Sequence, residues 1–111
     1  MARLNYVELP AGRLPQTKQF YERAFGWSMT DFGSAYAATV TGDTDIGLHG
    51  DLTDATKAPL AVIEVADLEA ALAAVEAAGG KIVRPIFAFP GGRRFHFVDP
   101  SGNELAAVKA D

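Results

Sequence analysis

The chain has 111 residues, 49% of them apolar, and a net charge of -4, which is enough for one domain with a real hydrophobic core and excludes a disordered segment. Phosphate recognition needs concentrated Lys and Arg, and here Arg93-Arg94 is the one adjacent basic pair, so no nucleic-acid partner is expected. Without cysteine there is no disulfide framework, zinc-thiolate site or cysteine nucleophile. Without a signal-like N-terminus or an apolar run near the roughly 18 residues of a membrane span, the expectation is a cytoplasmic protein with no membrane partner.

In chain order, Leu4 to Leu9 alternates, with Leu4, Tyr6 and Glu8 on one face and Asn5, Val7 and Leu9 on the other, and Pro10 ends this first strand. Pro15 suits the first turn of a helix in which Phe20/Ala24 and Tyr21/Phe25 pair at i,i+4, giving an aromatic face before Gly26 caps it. Trp27 to Phe32, Ala35 to Val40 and Asp45 to His49 read as three short strands. Asp51 to Ala58 lacks periodicity and is the linker. Leu60 to Val65 is the next strand. Asp67 caps a helix from Leu68 to about Ala78, with Leu68, Leu72 and Val75 on one stripe and Gly79-Gly80 at its end. A strand follows at Lys81 to Ile86, and then a hairpin whose strands flank Asp99-Pro100-Ser101-Gly102-Asn103, a run of turn formers.

Both halves therefore read βαβββ, as modules 1–50 and 59–111 joined by 51–58. Val7-Glu8-Leu9 matches Ile63-Glu64-Val65, Gly26 matches Gly79, and Val40 matches Val98, as one duplicated unit requires. Each helix has an apolar stripe that must cover one face of a sheet, which leaves the opposite face free to line a cavity.

Tyr6-Val7-Glu8-Leu9-Pro10, Phe20-Tyr21-Glu22-Arg23-Ala24-Phe25-Gly26-Trp27, Asp67-Leu68-Glu69-Ala70-Ala71, Ala78-Gly79-Gly80 and Asp99-Pro100-Ser101-Gly102-Asn103 together resemble the vicinal oxygen chelate superfamily. That superfamily includes glyoxalase I, bleomycin-resistance proteins and extradiol dioxygenases. The resemblance implies an α+β fold of two tandem βαβββ modules forming a curved mixed sheet around a groove, with the helices outside. It also implies a homodimer and, in the metalloenzymes, a divalent metal. The ligand positions of those enzymes fall here at Tyr6, at Leu60 or Val62, and at Ala106. Leucine, valine and alanine cannot ligate a hard cation, and a neutral tyrosine is a poor ligand, so no cofactor is expected.

The alternative is one divalent metal in a displaced site. Glu8, Glu64 and Glu104 share strand parity with the expected ligand positions, and His49 ends a strand nearby. Each is equally a strand-end acid or a rim group in water. His96, between Phe95 and Phe97, faces opposite to both; it can act as a base or bond a ligand's oxygen, or be a half-buried sheet histidine with one hydrogen bond. Pro85 to Arg94 reads as an extended, partly mobile loop. Its Phe87 and Phe89 form a lid or pack in the core or a dimer contact, and Arg93 or Arg94 can clamp an anion or pair with a surface acid. Trp27, Phe32 and Tyr36 floor the groove or belong to the core. No phosphate loop or nucleophile elbow is present.

Two functions follow. The first is a small-molecule binding protein that holds an organic ligand through Tyr6, Glu8, His49, Glu64, Arg94, His96 and Glu104, where an acidic groove would suit a cationic guest. The second is a metal-dependent lyase, isomerase or dioxygenase similar to glyoxalase I. The sequence assigns no catalytic residue.

Overall fold

A computed structural model describes residues 2–111, which form eight strands and two helices, an α+β chain of mixed parallel and antiparallel strands. In order these are β1 (Arg3–Pro10), α1 (Leu14–Phe25), β2 (Thr30–Asp31), β3 (Tyr36–Ala38), β4 (Asp45–His49), β5 (Leu60–Glu64), α2 (Leu68–Ala77), β6 (Lys81–Phe89), β7 (Gly92–Val98) and β8 (Glu104–Ala110). The chain divides into two compact units. One is Tyr6–Leu60, and the other is Ala61–Asp111 with the residues up to Asn5.

In the first unit the strands lie in the order β2-β3-β4-β1, and β1 runs parallel to β4 while the other pairs are antiparallel. Alternation in β1 assigns the two faces. Leu9 sits opposite Leu48 and joins Ala11, Met29, Leu14, Tyr21 and Ile46 in the core under α1, whereas Glu8 sits opposite Gly47 on the face away from the helix. Helix α1 starts with Pro in its first turn and ends at Gly26, whose φ of 70° closes a cap from its N–H to the Glu22 carbonyl at 2.9 Å. Of its aromatic stripe only Tyr21 reaches the core. Phe20 and Phe25 are 58% and 61% exposed, and Tyr21 stacks on Phe25 and Trp27.

The strands expected at Trp27 to Phe32 and Ala35 to Val40 shrink to two and three residues. Asp45 is the physical reason at one end. Its carboxylate accepts from Thr39 Oγ1 at 2.7 Å and from the N–H groups of Thr41 and Gly42 at 2.8 and 3.0 Å, so side-chain bonds replace the ladder there.

In the second unit the order is β5-β8-β7-β6, the same arrangement shifted by one module, again with first and last strands parallel. Asp67 caps α2 by accepting the Ala70 N–H at 3.0 Å. The stripe of α2 meets Phe95, Phe97, Ala107, Ile82 and Ile86 around fully buried Leu68. Phe95 and Phe97 are therefore core residues, and His96 points to the opposite face. The β7–β8 turn forms as its residues dictate: Asp99 Oδ1 accepts the Ser101 and Asn103 N–H groups at 2.9 Å each, and Gly102 takes a φ of 88°.

The Pro85 to Arg94 loop is a correction. Strand β6 continues through Pro85 to Phe89, and a tight turn at Gly91, with φ of 118°, leads directly into β7. Pro85 is tolerated because β6 ends the strand order of its unit, and the ladder is irregular on both sides of Arg84, between Ile82 and Phe87. A paired hairpin carries Phe87 and Phe89.

Candidate functional site

On the face of the first unit turned away from α1, three predicted site residues gather around Tyr36. The Tyr36 hydroxyl donates to Glu8 Oε2 at 2.8 Å, and the Tyr6 and Tyr36 hydroxyls are 2.7 Å apart. With the Tyr36 proton committed to the carboxylate, Tyr6 is the donor of that pair. Burial and then the neighbouring Glu8 charge push the Tyr36 phenol well above the usual phenol range, so it stays a protonated donor. Gly47 makes the arrangement possible. A Cβ there would lie 2.8 Å from Tyr36 Cζ and inside the contact distance of both hydroxyl oxygens.

His49 packs edge-on against Tyr36 with ring centroids 5.5 Å apart. Its Nε2 is 2.9 Å from Asp54 Oδ2, and its Nδ1 accepts the Asp51 N–H at 3.3 Å, so both ring nitrogens are occupied. Sequence reasoning offered Tyr36 only as a possible floor for a groove. Its register opposite His49, beside Ala38 opposite Gly47, was the signal that places it over Gly47.

The second unit brings together His96, Glu104 and Arg94, and adds Arg84 and Phe87. In register, His96 pairs with Ala106 on one side and Arg84 on the other, and Ala106 pairs with Val62, so these side chains share the face away from α2. His96 is 2% exposed. Its Nδ1 lies 2.8 Å from Glu104 Oε2; a carboxylate only accepts, so Nδ1 carries the proton and donates. The other ring nitrogen, Nε2, is buried and has no hydrogen-bond partner among the described residues. Burial holds the imidazole below its usual range despite the Glu104 bond, and the Arg94 and Arg84 charges act in the same downward direction. Nε2 is therefore a bare lone pair at neutral pH.

The two guanidinium groups converge on one ring: Arg84 Cζ is 3.8 Å and Arg94 Cζ 5.3 Å from the Phe87 centroid, and the Phe87 and His96 rings are 5.9 Å apart. Arg94 also lies 5.5 Å from the Phe89 centroid. Arg93, the other half of the basic pair, instead forms a two-bond pair with Glu69 at 2.7 and 3.2 Å on the surface. Glu64 pairs with Arg3 at 3.9 Å.

These positions decide what a metal would find. Val62 and Ala106 are buried carbon side chains, Tyr6 is bonded to Tyr36, and His96 is held by Glu104. Among the described residues no group of three or more His, Cys, Asp or Glu side chains is placed to hold an ion. No helix of the described residues is long and apolar enough to cross a membrane.

The sequence profile of the Glyoxalase/Bleomycin resistance protein/Dioxygenase superfamily matches residues 3–107. No curated protein matches the sequence. Among solved structures, the chain is similar to one titled NAD-dependent benzaldehyde dehydrogenase from Legionella pneumophila. They share 14% identity at a TM-score of 0.78, over 96% of this chain and 99% of that one. Methylmalonyl-CoA epimerase from Mycobacterium tuberculosis gives 14% identity and a TM-score of 0.75 over 97% and 87%. The Mn(II)-bound glyoxalase from Novosphingobium aromaticivorans gives 22% and 0.67 over 98% of this chain and 40% of that one. At these identities the likeness is one of fold.

Proposed function

This chain belongs to the Glyoxalase/Bleomycin resistance protein/Dioxygenase superfamily, and from that premise we propose that it binds a small organic molecule on the α2-distal face of its second unit without a metal as intermediary. One observation carries the reading: the His96 Nε2 lone pair, buried and without a partner. A buried acceptor left unmade costs about 1–3 kcal/mol, so a ligand that donates there recovers free energy that the protein alone forgoes. Glu104 fixes the tautomer, so the site takes an O–H or N–H. The Tyr6-Tyr36-Glu8 network and His49 belong to the proposal as a separate polar cluster on the α1-distal face of the first unit. A cytoplasmic homodimer is part of the same reading, supported by Phe20, Phe25 and Trp27, whose exposed rings suit a subunit contact.

The pair His96–Glu104 is also the geometry of an oriented general base, which favours acid–base catalysis as the second reading. Side-chain 15N NMR of the histidines, recorded against small alcohols, acids and amines, tests the first. A ligand should shift the His96 Nε2 resonance and raise Tm; if no compound in the set moves Nε2, the binding reading falls. Turnover of a bound compound, lost on His96→Gln, would establish the second.

A further inference from the structure

We propose, resting on the homodimer of the reading above, that its contact is the outer face of α1, with the helices of two copies lying antiparallel across a two-fold axis between Gln19 and Phe20. Helix α1 carries no buried residue, and of its rings only Tyr21 packs against the core. The aromatic side chains form one continuous patch. Between centroids, Phe20 meets Tyr21 edge-on at 5.1 Å, Tyr21 stacks on Trp27 at 5.6 Å, and Trp27 stacks on Phe25 at 5.4 Å. Phe20, Phe25 and Trp27 stay 58%, 61% and 40% exposed. At about 200 Å² for each whole ring, about 300 Å² of aromatic surface faces water on each copy. A standard interface covers about 800 Å² per partner, so the rings make its apolar centre and need a polar rim.

The rim lies beside Phe20. A groove of about 450 Å³ is lined by Gln16, Gln19, Phe20, Arg23 and Ala24, one helix face at i, i+3, i+4, i+7 and i+8. Gln16, Gln19, Phe20 and Arg23 stand symmetrically about the midpoint of Gln19 and Phe20, so a two-fold axis there maps the set onto itself. Gln16 then faces the partner's Arg23, whose guanidinium donates to the amide oxygen, and Phe20 enters the partner's groove beside the partner's Gln19. A parallel pairing would set Arg23 against the partner's Arg23. The antiparallel one holds the two cations seven residues apart along the axes, about 10 Å, where salt screens them. Neighbouring charges on α1 are already bonded: Lys18 pairs with Asp31 at 3.0 Å, and the Glu22 carboxylate accepts the Met29 N–H at 3.4 Å. A lipid surface also suits exposed aromatics, but anionic headgroups repel a chain of net charge -4, and Arg23 is the one cation lining the groove.

Sedimentation equilibrium from micromolar to millimolar protein tests the contact, and the full chain should be a reversible dimer. Phe20→Ala and Gln16→Arg alter exposed side chains and should each weaken the dimer at least about tenfold. Gln16→Arg combined with Arg23→Glu should restore the parent's affinity, because the antiparallel register brings these two positions together across the axis. If a dimer forms but either single variant leaves it intact, or the double variant does not recover it, the α1 contact is wrong although a dimer stands. A monomer throughout overturns both dimer and contact. Flotation of that monomer with phosphatidylserine vesicles, lost on Phe20→Ala, would assign the face to lipid instead. Ligand shifts at His96 are read separately, so the binding reading stands or falls on its own.

Discussion

Gly47→Ala tests the first-unit network directly. The added Cβ would meet Tyr36 Cζ at 2.8 Å and overlap the Tyr6 and Tyr36 hydroxyl oxygens, where carbon contacts are normally about 3.5–4.0 Å. Neither strand can retreat, because β4 is paired to β1 on one side and β3 on the other. The tyrosines must move, which costs about 1–3 kcal/mol as overpacking. Their movement also takes the phenol proton from the buried Glu8 carboxylate, a further loss of about 1–3 kcal/mol. Alanine recovers up to about 1 kcal/mol through its lower backbone entropy. The net expectation is a loss of about 1–6 kcal/mol, or about 4–24 °C in Tm for a chain of this size.

Urea and thermal unfolding measure it. A second measurement isolates the cause: in the Tyr6→Phe/Tyr36→Phe background the hydroxyls are gone, and the cost of Gly47→Ala should drop by at least about 1 kcal/mol. A Gly47→Ala protein within about 0.5 kcal/mol of the parent, or costs that simply add, would refute the network as described.

Stability should also fall with acidification in a window set by His96. Its folded pKa lies below the unfolded value of about 6.5, so the unfolded chain takes up the proton first. The contribution is complete above that value and drains as the pH falls toward the folded pKa, at no more than about 1.4 kcal/mol per pH unit. His96→Gln should flatten urea-derived stability between pH 7 and 5; an unchanged slope would contradict the burial argument. Asp67→Ala removes the acceptor of the Ala70 N–H and should cost about 0.5–2 kcal/mol in the same assay. Phe95→Ala opens a cavity in the fully buried core under α2 and should cost about 3–5 kcal/mol.

The fold was largely legible because its signals are local and occur twice. Alternation in Leu4 to Leu9, the 68–75 stripe and the Asp99 turn each say one thing, and the structure repeats the strand order from unit to unit. The hairpin at 85–94 was misread because proline and paired glycines punctuate loops in most settings; an edge position and an irregular ladder, which exist only once strands are ordered, make Pro85 a strand residue. The face of His96 was ambiguous for a similar reason, since either Phe95 and Phe97 or the histidine could have been covered. The α2 stripe decided it. Single candidate residues could be named from the sequence, but not which of them are neighbours. Tyr6 and Glu8 are both bonded to Tyr36, and Arg84 escaped notice because its register partner on β7 lies twelve positions on.

Strand β6 ends its unit's order, and open backbone edges invite other chains to add themselves. Pro85 offers no amide hydrogen there, and the kinked stretch around Arg84 breaks the straight row of donors that an incoming strand would copy. The irregularity that hid this hairpin from sequence reasoning therefore guards against runaway fibre growth. Straightening it, by Pro85→Val for instance, should be read first in light scattering rather than in unfolding curves.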